Sequence, residues 1–112
     1  MPVTNPKILA HAFLEDMGED DYFPDALVDR GRDILLRLCA RIEAEAPASL
    51  DALYALTHAA TVEFNALDDA LQDAGSEIET AARENIAGDF DFIATSYGFD
   101  ADIEALIAPR DW

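Results

Sequence analysis

Between Ser49 and Asp73, the residues Leu53, Thr57, Ala60, Phe64, Leu67 and Leu71 follow one another at steps of four and three. Those steps track the turn of an α-helix and keep all six side chains on one face, whereas a strand would scatter them over both. No stretch of the chain shows sustained period-two alternation with β-branched residues. The chain is therefore expected to fold as helices packed along apolar seams.

Proline, glycine and capping residues divide the remainder. Pro6 to about Met17 reads as a first helix carrying Ile8, Leu9, Ala12 and Phe13 on one face and ending at Gly18. Pro24 suits a first helical position because it has no N–H to leave unpaired, and the helix it opens should run to about Glu45, ahead of Pro47. Its apolar arc is Leu27, Gly31, Ile34, Leu35, Leu38 and Ile42, while Tyr22 and Phe23 just before it are expected to plug into the bundle. Ser49 is placed to cap the third helix, and Gly75 to close it in a left-handed conformation.

Ser76, with Glu79 three residues on, reads as a capping box opening a fourth helix. Its core face would be Ile78, Ala82, Ile86, Phe90, Ile93 and Tyr97, and Gly98 its stop. Asp100 is expected to cap a last short helix through Ile107, before Pro109. The expected architecture is one all-α domain over residues 1–112, a compact bundle of four to five helices.

Charge narrows the function. Asp and Glu number 24 against 7 Lys and Arg, giving a formal charge of -17, while 51% of residues are apolar, enough for a core. A chain so acidic is repelled by nucleic acid and by anionic membrane surfaces, and no apolar run approaches the ~20 residues that span a bilayer. A single cysteine, Cys39, cannot form an internal disulfide, which favours a reducing compartment. Lys7 and the short stretch Ile8 to Leu14, interrupted by His11, make a poor secretion signal, so a cytoplasmic location is expected.

The segments DDYFPDALVDRGRDILLRLCARIEAEAP, LYALTHAAT, SEIETAAREN, DFDFIATSYGF and the terminal IAPRDW resemble a family of small acidic bacterial proteins, the domain of unknown function fifty-seven-thirteen. The resemblance runs from Phe13 to Trp112 and implies a shared fold. It implies no activity and supplies no catalytic residues.

Candidate chemistry is sparse. His11 and Glu15, at i and i+4 on the first helix, would be half of a metal site, but no HExxH or paired ExxH motif supplies further ligands. His58 projects away from the packing stripe of the third helix, and Cys39 sits mid-helix as a small hydrophobe. Ser49, Ser76 and Ser96 lack a GxSxG setting. The acidic stretch Asp16 to Asp25 lacks the alternating carboxylates of an EF-hand and reads as a solvated loop. No cofactor, metal or catalytic residue is assigned.

Two surfaces stand out. Arg30, Arg37 and Arg41 form one stripe on the second helix, while nine acids and no base lie between Ile42 and Ala82. The stripe is expected to pair with acids of a neighbouring helix or locally with Asp33 and Glu45 at i, i+4, or else to form an anion or partner site. On the third helix Ala52, Ala55, Ala59, Val62, Ala66 and Ala70 share an uncharged side, expected to be covered by another helix of the same domain, with a partner or second copy as the alternative. The leading expectation is a non-enzymatic protein-binding module of regulatory or immunity type, monomeric or homodimeric. The alternatives are a DNA mimic that occupies the site of a nucleic-acid-binding protein, and a small metal-dependent enzyme using His11 and His58.

Overall fold

The structure, a computed structural model, describes residues 3–112, and among these every regular element is helical: α1 Pro6–Leu9, α2 Glu15–Glu19, α3 Asp25–Glu45, α4 Leu50–Asp73, α5 Thr80–Ser96 and α6 Ile103–Leu106. Three long helices do the packing and three short ones shape the edges. The whole measures 40 × 27 × 21 Å.

The hairpin of α3 and α4 is its centre. Ser49 Oγ accepts the Ala52 N–H at 3.1 Å and starts α4 as expected, and Gly75 follows its end with φ +88°. All six stripe residues of α4 are buried, against Ile34, Leu35, Leu38 and Ile42 of α3. Gly31 lies against Phe64 and Leu67, while Arg37, nearer the connection, reaches Glu63, so the helices run antiparallel. Ala46 ends α3 in a left-handed conformation just before Pro47. Phe64 then gathers the rest: its ring meets Phe90 of α5 at 5.8 Å and the C-terminal Trp112 at 6.2 Å, both edge-on. Asn65 holds the terminal segment by donating to the Pro109 carbonyl and accepting the Asp111 N–H.

The first helix does not run through to Met17. It breaks after Leu9 and resumes at Glu15, with Leu14 between at φ 51°, ψ 40°. On one continuous helix, Met17 would point about 180° away from Ile8. Both are buried, and a break lets them face the same core. A left-handed leucine costs roughly 1–2 kcal/mol. Its surroundings offset that: Asp89 Oδ2 accepts the Leu14 N–H at 2.7 Å, Arg32 Nε donates to the Phe13 carbonyl at 2.8 Å, and the Leu14 side chain fills the space left by the missing Cβ of Gly31. Gly18 serves the same arrangement by leaving room for the Arg32 guanidinium.

The capping box at Ser76 is also not formed. Its Oγ donates to the Tyr22 carbonyl at 2.5 Å, and α5 begins only at Thr80, with no side-chain cap. Residues 76–79 instead lie outside any helix, with Asp68 Oδ1 capturing the Ile78 N–H at 2.8 Å and Glu79 extended. Asp102, rather than Asp100, caps the last helix through the Ala105 N–H. Pro24 stands at the cap position of α3, one residue before its first turn.

Candidate functional site

Carboxylates are used here in two ways. Some are turned inward as acceptors for backbone N–H groups that no helix satisfies. Asp68 and Asp89 are buried in that role, and half-buried Glu43 accepts from Thr4 N, Thr4 Oγ1, Asn5 N and the Tyr97 hydroxyl. These bonds, that from Thr4 Oγ1 first, hold the Glu43 carboxyl down to about 2. Burial pushes the neighbouring Cys39 thiol up to about 12, leaving it a packed hydrophobe without thiolate character.

Other carboxylates are turned outward and crowded. Along residues 76–79, Ser76 and Ile78 are buried, while Glu77 and Glu79 are exposed. Glu77 is raised above its ordinary value, first by a hydrogen bond with Glu79 and then by its charge. Across from them Tyr22 stands 45% exposed, its ring edge-on to buried Phe23 at 4.9 Å. Partial desolvation, then the charges of Glu79 and Glu77, raise its phenol as well. Asp20, Tyr22, Glu77, Glu79 and Arg83 line one cleft of about 580 Å³ at the start of α5, where the helix dipole favours negative charge. Of the two expected anchors, only Phe23 is buried.

The expected acidic loop Asp16 to Asp25 is part helix, with Glu15, Asp16 and Glu19 exposed on α2. Because the chain breaks before Leu14, His11 and Glu15 do not share a helix face. His11 Nε2 instead meets Asp89 Oδ1 at 2.9 Å, with its ring stacked on Phe92 at 4.0 Å. His58 Nε2 meets the Ala105 carbonyl at 2.6 Å and stacks on Tyr54. The two histidines thus have separate partners, and among the described residues no group of three or more His, Cys, Asp or Glu is arranged to hold a metal. His11 and His58 do not form the shared metal centre that an enzyme reading needs.

Arg37 pairs with Glu63 of α4 and Arg41 with Glu45, as expected, both at 3.0 Å and exposed, whereas Asp33 forms no ion pair among the described residues because Arg37 turns to α4 instead. Arg30 has no ion pair among the described residues. All three line an open groove of about 1300 Å³ along α3 and α4, together with Leu36, Ala59 and Glu63. The alanine face is not covered by another helix of the chain: Ala52, Ala55, Ala59 and Ala66 are exposed, and Val62 is 54% exposed. The short helices lie elsewhere, α6 and the C-terminal segment being on the His58, Asn65 and Thr61 side of α4.

Sequence reasoning did not find the Tyr22 cleft. Its signal was the alternation of Ser76, Glu77, Ile78 and Glu79, which a capping-box reading absorbs into a helix.

Three long helices, edges pinned by inward carboxylates and an aromatic cleft rimmed by outward ones define a small acidic all-α protein, with no helix long and apolar enough among the described residues to cross a membrane. The model of a family of unknown function, DUF5713, matches residues 7–112, and the chain belongs to that family. No curated protein and no solved structure matches it.

Proposed function

We propose that this protein is a non-enzymatic binding module, of regulatory or immunity type, that recognises a basic protein surface through the Tyr22 cleft. One observation carries the reading: Glu77 and Glu79, exposed on either side of buried Ile78, lie close enough to hydrogen-bond and raise Glu77, beside an exposed tyrosine. Repulsion of that kind is relieved when a Lys or Arg side chain enters between the carboxylates, and the tyrosine ring offers it a face for cation–π contact. The charge of -17 steers a basic partner inward from a distance, and the aromatic supplies affinity once contact is made.

The test is affinity capture from the native cell with proteins identified by mass spectrometry, comparing wild type with Tyr22→Ala and with Glu77→Gln/Glu79→Gln. A basic partner lost with both variants, and weakened by added salt, supports the reading. Capture unchanged by both variants sinks it. If the partner is a nucleic-acid-binding protein released from its DNA or RNA, the DNA-mimic reading applies to the same surface.

A further inference from the structure

We infer that the C-terminal segment, residues 107–112, is a latch on the Tyr22 cleft: docked, it holds Arg83 away from Glu79, and when it lifts, Arg83 pairs with Glu79 and closes the cleft to a basic partner. This rests on the reading of the cleft as a site for a partner's Lys or Arg and adds what sets the site open or shut. Arg83 is the cleft's own cation, one turn into α5, and lines it with Asp20, Tyr22, Glu77 and Glu79. Glu79 stands four residues before it, the spacing and order in which a helix brings a carboxylate and a guanidinium together. That pair is not formed. Arg83 has no ion pair among the described residues, and its Nε donates to the Trp112 carbonyl at 3.1 Å. The two glutamates are thus left to each other, and Glu77 stays raised, first by its bond with Glu79.

The segment that holds Arg83 is attached at few points. Beyond α6 it forms no regular element; Asn65 bonds Pro109 and Asp111, and the Arg110 guanidinium lies 6.0 Å from the centre of the Trp112 ring. The Trp112 side chain is buried against Phe64, yet its indole N–H has no partner there. Burial of the ring favours the docked position, while the orphaned donor opposes it and meets water once the segment lifts. The docked state is therefore a balance of opposed terms, and Arg83 is a group both states can use: Trp112 takes it in one, Glu79 in the other. Linkage makes the effect reciprocal, because a cation bound at Glu77 and Glu79 leaves Trp112 as the partner of Arg83 and holds the segment down.

Two measurements on the full chain test this, with circular dichroism as the folding control. In the first, a pentalysine peptide is titrated in and its binding followed at the Glu77 and Glu79 amide resonances. Trp112→Ala, which frees the segment, should bind it about two- to fivefold more weakly than wild type, the worth of an exposed ion pair, and Trp112→Ala/Arg83→Gln should regain wild-type strength. Binding that is not weakened by Trp112→Ala, or that stays weak without Arg83, overturns the latch. If Trp112→Ala does not fold, Asn65→Ala takes its place, cutting the bonds to Pro109 and Asp111 and sparing the core ring. The second measurement needs no ligand. The Arg83 Nε–H resonance should shift on Glu79→Gln in the freed background and hold still in the wild-type background; an equal response in both overturns the latch. Pentalysine that moves no cleft resonance in wild type overturns instead the cation reading of the cleft, and the Arg83 resonance then decides the latch by itself.

Discussion

The α3–α4 hairpin and the segments around it are held by different physics. The hairpin rests on repetition: side chains at helical spacing bury one after another, and no single contact decides the outcome. The flanking segments have too little length for that. Residues 10–14 and 76–79 each rest on a few specific bonds, among them a buried carboxylate, Asp89 or Asp68, that takes a backbone N–H otherwise orphaned. Periodic burial tolerates local change, whereas a segment held by a few bonds is loosened when one is cut.

The largest effect should come where the two regimes join. Phe64 is fully buried in α4 and touches both Phe90 and Trp112. Phe64→Ala should cost about 3–5 kcal/mol, a large share of the ~5–15 available to a domain, and it should act on the whole molecule. Urea denaturation followed by circular dichroism checks this. A loss below about 1 kcal/mol would mean the C-terminal segment and α5 do not depend on the hairpin in the way their packing indicates.

Asp89→Ala sharpens the contrast, because it removes an attachment and leaves the hairpin core untouched. Orphaning the Leu14 N–H and freeing His11 should cost about 1–3 kcal/mol. Hydrogen exchange should quicken across residues 11–17 while α4 amides keep their protection. Uniform loss of protection would show that the N-terminal segment and the hairpin unfold as one unit.

The same division explains what could be read from the sequence. Every stripe residue of α4 is buried, and Ser49, Gly75 and Gly98 act where the punctuation put them, because periodicity and caps are local properties. The break at Leu14 and the non-helical run at Ile78 depend on carboxylates 75 and 10 residues away in sequence. Nothing local distinguishes Asp68 or Asp89 from the exposed acids beside them. The cleft was hidden for the same reason, since Tyr22 and Glu77 become neighbours only once Ser76 is tied to the Tyr22 carbonyl. The arginine stripe was visible, and so was the alanine side, but whether anything within the chain covered that side depended on where the short helices went.

Two serines offer a smaller, paired comparison. Ser49→Ala removes a helix cap and should cost about 0.5–2 kcal/mol, with reduced helicity at the start of α4. Ser76→Ala removes a tether and should cost about 0.5–1.5 kcal/mol without shortening any helix. Its signature should be a shift in Tyr22 fluorescence or ring resonances. Equal loss of helicity in both variants would restore the capping box that the structure replaces.

The smallest effect is a titration confined to the N-terminal segment. Glu43 has an ordinary value of 4.5 and is held at about 2 in the fold, so the folded state favours its charged form. Its contribution is complete above about pH 4.5 and falls away as the pH drops toward 2. With Glu43 protonated, Thr4 and Asn5 lose the carboxylate that accepts their N–H groups, and Tyr97 loses the acceptor for its hydroxyl. The informative quantity is the difference between wild type and Glu43→Gln, which isolates this carboxyl from every other effect of acid. Thr4 and Asn5 amide resonances followed from about pH 4.5 down to about pH 1 should move in wild type and stay nearly flat in the variant, while α4 resonances move alike in both. If the Thr4 amide is as insensitive in wild type as in Glu43→Gln, the N-terminal segment is held by Asn5 and Ser96 rather than by the carboxylate.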